Sequence, residues 1–516
     1  MRANAVVAIG TLVSVGVLAA TVPAAGPAFR YGVAAGEVTA RSARLWTRAD
    51  RSGAVVLEVA RTARFAPIVV RRKLVASAAN DLTVQTVVTN LEANTAYVYR
   101  FRQANAVSRV GRFRTAPEAT EDARVRFAIS GDADATPTAP SAGPFFNHFE
   151  VYARMAGEAN AFNINLGDTI YSDSGVGGTP PALTVDQKRA KYRLNLSVPA
   201  LTQLRASAAL YSHWDDHEFV NDFTRAENGE DLYRAGVKAF RDYAPVAYGA
   251  DDGLYRSFRW GENLELFFLD ERSFRSAKAS AGGTCNGPGG GPDLAPTAPQ
   301  PVRSAFASLV PSLAQPVAPE CLAAIADPQR TMLGARQYDR FTTAIARSTA
   351  TFKVIVNEVP IQQFYALPYD RWEGYAAERT RLIEFLRANV KNVVVLATDT
   401  HATFVNDVRL QTLEPPGPVN SGILEVVTGP VATNTFAKEI DTTLRSPGAG
   451  VVISSLFFKP GPSRGVGMQC AAPDTYSYAE VEVTRTTLTI TPKDAAGKRL
   501  VDVTGADCGV FVVHVR

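Results

Sequence analysis

From Phe29 to about Pro117, apolar and polar residues alternate in short runs separated by turn residues: SARLWTR, AVVLEVA, LTVQTVVTNL, AYVYRFR and SRVGRFRT. A two-residue period puts every second side chain on one face. Runs of this length, with no helical periodicity, predict a small antiparallel β-sandwich of the immunoglobulin or fibronectin kind. TAPEATEDA, residues 115–123, reads as a linker. From Val125 the character changes: RFAISGD and AFNINLGDTIY are apolar runs that stop at acids, and FKVIVNEV and KNVVVLATDTH repeat that form far downstream. Helix-like stretches such as YRAGVKAFRDY and ERTRLIEFLRANV lie between or before them. Buried strands alternating with helices predict an α/β (α+β) domain in which polar groups at strand C-terminal ends collect on one rim.

The boundaries that follow are 26–118 for the sandwich and 119–516 for the larger domain. Within the latter, residues 280–325 contain AGGTCNGPGGGPDLAPTAPQP, too rich in Gly and Pro for a core element, and read as an ordered insertion. Near the end, YAEVEVTRTTLTITPKDAAGKRL alternates like a hairpin on a sheet edge, and GADCGVFVVHV gives one more strand.

A chain of 516 residues exceeds what one core usually serves, which agrees with two domains. Hydrophobic residues at 46% and charged residues at 20% are ordinary for a folded protein. The net charge of +4, from 54 basic and 50 acidic residues, makes no case for a polynucleotide partner, and no nucleic-acid-binding motif is present. Arg2, an apolar run from Ala5 to Val22 and the small-residue exit TVPAAG predict a signal peptide over residues 1–25, cut after Ala24 or Ala25. A membrane anchor is the competing reading of that segment, but its alanines and glycines make it only weakly apolar. The expected mature protein is secreted and keeps no stable anchor. Export makes the four cysteines readable as disulfides, with three pairings open to them. We favour Cys285 with Cys321 and Cys470 with Cys508, because each pair brackets one loop-rich segment.

The strand ends carry the chemistry: Asp132 and Asp134 in SGDAD, Asp168 and Tyr171 in GDTIY, the cluster HWDDHEFVND from His213 to Asp222, and Asp399 with His401 in TDTH. Taken alone, each has a plain reading as a turn, a packed aromatic or a capped helix start. Buried acids need partners, however, and alternate residues of an extended segment such as Asp399 and His401 can grip one ion. Hard oxygen ligands, imidazole and one phenol suit two or more cations, such as ferric iron with calcium, manganese or zinc.

In their order, FRYGVAAGEVTARSARLWTRAD, SRVGRFRTAP, GDTIY, WDDHEFVND, LYRSFRWG, LFFLDERSFR, RTMLGARQ and DTHATFVND resemble the PhoD-like family of alkaline phosphatases and phosphodiesterases, secreted relatives within the metallophosphoesterase superfamily. The resemblance spans roughly residues 28–430 and implies a sandwich of mixed sheets flanked by helices, with a small all-β domain in front. It implies Asp168 as the carboxylate bridging two metals, Tyr171 as phenolate ligand to ferric iron, and Asp399 and His401 as further ligands. Asn221 or Asp216 would bind the second metal, expected to be calcium, and His217 would be the proton donor or electrostatic partner of the substrate. His213 and Asp215 would support the site from behind. Arg272 and Arg275 would meet a phosphate oxygen. The chain departs from the family twice. Gly131 stands where the family commonly has a cysteine iron ligand, so that Asp132 or Asp134 would substitute, and Thr398 replaces the glycine of GDxH. The implied activity is hydrolysis of a small phosphate monoester or diester by metal-activated hydroxide attacking phosphorus in line. Alternatives are a phospholipid or teichoic-acid diester as substrate, and a phosphate-ligand-binding relative that has lost hydrolysis.

Overall fold

The computed structural model describes residues 29–462 and 464–516, so the signal peptide read over residues 1–25 lies outside the described residues. The alternating region forms two sheets. Val33–Gly36, Ala43–Arg48 and Thr83–Val88 make one; Ile68–Ala76, Gly53–Ala60, Ala96–Gln103, Ala106–Val107 and Gly111–Arg114 make the other, all pairs antiparallel. The period of two has its expected consequence: Val55, Leu57, Val59, Tyr99 and Phe101 are buried in the common core. The stretch read as a linker is instead fixed on both sides. Ala116 N–H donates to the Thr39 carbonyl at 3.1 Å, and the Asn263 amide donates to Asp122 at 2.8 Å. Backbone and side-chain donors thus turn a polar connection into a joint. Further contacts reinforce it: the Trp46 indole donates to the Asp242 carbonyl at 2.7 Å, and the Tyr211 hydroxyl to the Val38 carbonyl at 2.6 Å.

Two larger sheets follow. The six-stranded sheet runs in the order Ala209–Ser212, Phe162–Asn165, Val125–Ser130, Ser477–Val483, Thr487–Asp494, Phe511–His514, its first three strands parallel and the rest antiparallel. The seven-stranded sheet runs Arg256–Trp260, Leu264–Phe268, Phe352–Val356, Val393–Ala397, Val419–Val427, Thr403–Gln411, Cys470–Ala472, with four parallel strands from Leu264–Phe268 to Val419–Val427. Phe127, Ile129, Phe162 and Ile164 from one sheet and Leu266, Phe268, Val354 and Leu396 from the other fill one core between them. The outer faces are covered by helices. Glu150–Gly157, Pro199–Ser207 and Glu230–Tyr243 pack on the first sheet, and Ala335–Arg347 and Ala376–Asn389 on the second. Both sides of the central strands are buried, which is why they read as unbroken apolar runs rather than alternating ones.

The Gly/Pro-rich insertion is ordered, with the short helices Gln300–Phe306 and Pro319–Ala326 closed by a disulfide between Cys285 and Cys321. Cys470 pairs with Cys508, tying the last residues to the seven-stranded sheet. Among the described residues no helix is long and apolar enough to cross a membrane.

Phe162 joins the two sheets: its buried ring lies 4.7 Å from that of Phe127 and 4.5 Å from that of Trp260 on the opposite sheet. Phe162→Ala is expected to cost about 3–5 kcal/mol. A lowered urea midpoint with an unchanged slope checks this.

Candidate metal centre

Parallel strands from both sheets end at one rim, beneath a cavity of about 710 Å³. Asp132 follows Val125–Ser130, Asp168 follows Phe162–Asn165, Asp216 follows Ala209–Ser212, and Asp399 with His401 follows Val393–Ala397. Their ligand atoms form three overlapping groups, Asp132/Asp168/His401, Asp168/Asp216/His217 and Asp216/Asp370/Asp399, the atoms of each group lying within 4.8 Å of one another. Asp168 and Asp216 are each shared by two groups, so the acids form a continuous line. The backbone is bent to make it. Asp132, Asp168, Asp399 and His401 have φ of 63°, 49°, 70° and 52°, a region that costs a non-glycine residue roughly 1–3 kcal/mol. Such turns aim side chains out of the strand ends at a common point.

Around this line the partners are defined. The Tyr171 hydroxyl lies 2.9 Å from His401 Nε2, and His401 Nδ1 lies 2.8 Å from Glu439. The Tyr171 and His217 rings face each other at 4.1 Å between centroids. His217 Nδ1 is held at 2.5 Å by Asp173, which also accepts from Asn221 N–H at 2.7 Å, and His217 N–H donates to Asp168 at 3.1 Å. Asn221 itself lines the cavity.

The electrostatics are those of too many acids in too little water. Burial lifts Asp399 to about 8, with Asp370 and Asp216 adding to the effect, and lifts Asp132 to about 6. Asp168 and Asp215 stand well above the usual carboxylate range, raised by burial first, then opposed by His217 and Arg272 respectively and raised further by neighbouring acids. For His401 burial works in the opposite direction, but Glu439, Asp132 and Asp399 outweigh it and carry the imidazole to about 9. His217 is raised likewise by Asp216, Asp168 and Asp173 against its burial. Asp132 Oδ1 is buried with no hydrogen-bond partner at all. Without cations, burial favours the protonated forms of Asp132, Asp168 and Asp399. A donor set of four carboxylates, an imidazole and a phenol with such an orphaned oxygen fits hard cations, whose charge inverts these directions.

Several expected residues sit elsewhere. Arg272 and Arg275 do not face the cavity. Arg272 is fully buried, donating from Nε to Asp215 at 2.6 Å and from Nη1 to Asp370 at 2.9 Å, and Arg275 donates to the Tyr375 hydroxyl and the Asp370 carbonyl. Their guanidinium groups are consumed by acids beneath the floor, so the phosphate contact expected of them is corrected to counter-charge. The arginine that lines the cavity is Arg371, its guanidinium over the Phe364 ring at 5.0 Å and donating to the Ala366 carbonyl. Asp134 is turned aside, accepting from the Ser174 hydroxyl at 2.5 Å and from Thr136 N–H at 2.8 Å, which leaves Asp132 in the cluster. His213 is wholly buried, its Nε2 2.5 Å from the Leu269 carbonyl, and burial holds it down to about 3, a neutral structural imidazole. Asp173, Asp370, Arg371 and Glu439 were not singled out. Asp173 had a signal, two residues past Tyr171; Asp370 and Arg371 lie in a loop whose path the sequence pattern does not disclose.

The two departures meet in space. A Cβ on Gly131 would lie 2.8 Å from Thr398 Oγ1 and 3.1 Å from the Gly167 carbonyl, and Thr398 Oγ1 is 2.7 Å from Asp132 Oδ2. The threonine fills the space a side chain at 131 would need, and its hydroxyl orients Asp132.

A model of the family described as PhoD-like phosphatase matches residues 139–459, and one described as PhoD-like phosphatase, N-terminal domain, matches residues 16–117. Alkaline phosphatase D of Bacillus subtilis (strain 168) is 24% identical over 428 residues, 74% of this chain and 66% of the relative, just under two thirds of its length. Among solved structures, one described as the structure of PhoD superposes with a TM-score of 0.71 at 21% identity, covering 95% of this chain and 90% of that one. Purple acid phosphatase PPD1 from yellow lupin (Lupinus luteus) seeds superposes at 0.56 with 11% identity, covering 94% and 74%. At these identities the structural matches establish a shared fold, mixed sheets flanked by helices.

Arg272→Met strands Asp215 and leaves Asp370 with Arg275 alone, and is expected to cost roughly 3–5 kcal/mol in chelator-treated protein, read from urea unfolding. Gly131→Ala is expected to destabilise by about 1–3 kcal/mol through overpacking, and Thr398→Gly in the same chain to recover most of it. Equal melting temperatures for the single and double variants contradict the steric link.

Proposed function

The chain belongs to the PhoD-like phosphatase family, and from that premise we propose that it is a secreted, metal-dependent phosphoric ester hydrolase acting on small phosphate monoesters and diesters. The observation that carries this reading is the pair of shared carboxylates, Asp168 and Asp216, linking three ligand groups on the floor of one cavity. Asp132, Asp168, Tyr171 and His401 would hold one cation, ferric iron. Asp168, Asp216, Asn221 and Asp399 would hold a second, calcium, with manganese or zinc as alternatives. Cations bound there supply Lewis acidity toward the phosphoryl oxygens and a deprotonated water near neutral pH.

The protein's own groups do the rest. Asp173 fixes Nδ1 of His217, which leaves Nε2 4.0 Å from Asp216 and available to protonate the departing oxygen. With Asp168 and Asp216 given to cations, Asp173 is the acid left to keep His217 charged for that task. Arg371 lines the cavity and would turn toward a phosphoryl oxygen the N–H groups that its bond to the Ala366 carbonyl leaves free. Arg272 holds Asp215 and Asp370 in place from below. No side chain need be phosphorylated.

We read residues 26–118 as an N-terminal immunoglobulin- or fibronectin-like module and 119–516 as the catalytic domain. The make-up of Val33–Arg114, eight strands with one short 3-10 turn at Ala78–Asn80, and the separate N-terminal family match support this division. Export is supported by the two disulfides. A second reading of the substrate, a phospholipid diester, is favoured by one feature. An apolar cleft built partly from the insertion, with Val302, Phe306 and Phe457 in its wall, shares Leu367, Ile440 and Thr443 with the metal cavity.

Asp168→Ala is expected to lower kcat/KM on 4-nitrophenyl phosphate about a thousandfold, a loss of ~4 kcal/mol of transition-state stabilisation, with a matching loss of metal by elemental analysis. Full activity in a metal-stripped sample defeats the proposal. Diesters of increasing alkyl length separate the two substrate readings, because only the phospholipid reading requires kcat/KM to climb with chain length.

A further inference from the structure

The chain holds 26 Phe, 17 Tyr and 4 Trp, and among the described residues Phe145 alone of these is exposed rather than buried or half-buried, at 56%. Single aliphatic residues on a surface are ordinary, but a large ring left in water forgoes more burial than any of them. Its place makes the exposure informative. Phe145 and Phe146 line the cavity above the metal cluster, together with Ser174, Gly175 and Val176. The loops that carry these residues are locked to each other. Phe145 N–H donates to the Thr136 carbonyl at 3.2 Å, the Ser174 hydroxyl donates to Asp134 at 2.5 Å, and a Cβ on Gly177 would lie only 2.9 Å from the Pro137 carbonyl. Buried Lys191 adds a bond to the Thr136 hydroxyl at 3.0 Å. Beyond the two rings, the Asn147 amide donates to the Val431 carbonyl at 2.8 Å, which ties the loop to the segment bearing Thr433 and Asn434, both on the cavity wall. Phe146 packs on the core beneath and meets Phe145 edge to face, 4.9 Å between centroids, so it covers at most one face of the Phe145 ring.

We propose that Phe145 is a stacking platform for the base of a nucleoside phosphate, with Asn434 reading the base's polar edge, so that the group leaving phosphorus is a nucleoside hydroxyl. This rests on the phosphoric ester hydrolase reading and names its substrate class. A cavity of about 710 Å³ has the size of sites that enclose a small organic ligand, and a mononucleotide is one. Every base has a flat π-face to lay on a phenyl ring. Every base also has a polar rim. A carboxamide offers that rim one acceptor and two donors, and Asn434 is exposed on the cavity wall. An alkyl leaving group has another place to go: the apolar cleft that shares Leu367, Ile440 and Thr443 with the cavity does not include Phe145 in its lining. Because the loop is bonded on both sides of the rings, the platform stands ready before a ligand arrives and little entropy is lost in ordering it. For a monoester the products are nucleoside and inorganic phosphate. Water supplies the new P–O bond, and the departing nucleoside oxygen takes a proton.

Adenosine 5′-monophosphate and ribose 5-phosphate break the same kind of bond and differ by the base, so the ratio of their kcat/KM values isolates the platform. With the full, metal-loaded chain the ratio is expected to be about ten or more, and Phe145→Ala to bring it below about three. The change should fall on KM for the nucleotide, because a contact with the base is made equally before and at the transition state. Phe145→Tyr keeps a ring and should keep the ratio. Melting temperatures should stay at the parent value, since the side chain is exposed. Calorimetric binding of the methylenephosphonate analogue of the nucleotide, which has no ester bond to break, repeats the comparison without turnover, and Phe145→Ala is expected to weaken it about fivefold or more. A parent ratio near one overturns the inference, and so does a ratio that Phe145→Ala leaves unaltered. Binding of the phosphonate through Phe145 with neither ester hydrolysed upholds the platform and removes the hydrolase reading instead. Release of the protein from phospholipid vesicles by Phe145→Ala, with the nucleotide ratio unchanged, would assign the ring to a membrane and overturn the inference.

Discussion

Moving an ionised carboxylate out of water costs far more than one hydrogen bond returns, and here several are moved together. Asp132, Asp168, Asp215, Asp216 and Asp370 are all buried at the ends of strands or in the loops that follow them. Two arginines meet them from below, Arg272 against Asp215 and Asp370 and Arg275 against Asp370, while Asp132 and Asp168 have no arginine or lysine partner among the described residues. The rest of the site is a response to this deficit of positive charge. Imidazoles are drawn into their charged forms, carboxyls retain protons, and a bent backbone holds the ligand atoms together although their repulsion would spread them.

Such crowding persists only if the scaffold cannot relax. Asp132, Asp168 and Asp216 come from one sheet, Asp399, His401 and Arg272 from the other. Their separations are therefore set by the packing between sheets, by rings such as Phe127, Phe162 and Trp260, and not by any local turn alone. Interiors packed at crystal-like density are stiff, and this stiffness holds the left-handed residues and the unpaired Asp132 oxygen in place. The Gly131 and Thr398 pair belongs to the same logic. Where the backbone of one strand end crosses close to that of another, one side chain fits and two do not.

What could be read from the chain divides along the same line. The period of two before Pro117 and the unbroken apolar runs after Val125 identify sheets because period is a local property. Acids directly after such runs, Asp168 and Asp399, are legible because a strand end fixes their position. Arg272 was misplaced for a physical reason. In DERSFR it looks like a surface guanidinium, and only the approach of Asp215 and Asp370, from other parts of the chain, shows that its charge is spent internally. Glu439 and Asp370 were invisible because they reach the site through long connections whose paths depend on tertiary packing. The joint at Ala116 and Asp122 was missed because a polar segment can be satisfied by protein as well as by water.

Charge crowding limits what the cavity can admit. A phosphate ester is an anion, and a cavity floored by Asp168, Asp216 and Asp399 repels it. At a separation of 4 Å, two like charges with an effective dielectric of 20 oppose each other by roughly 4 kcal/mol. Protonating the acids would remove the repulsion, but it would also remove the ligands. Cations held by those carboxylates would cancel the repulsion, and a cation charge above that of the acids it meets would turn the field at the mouth attractive. Shared carboxylates serve this requirement. Asp168 and Asp216 each contribute to two ligand groups, so the site gathers more cation charge per acid than separate sites would.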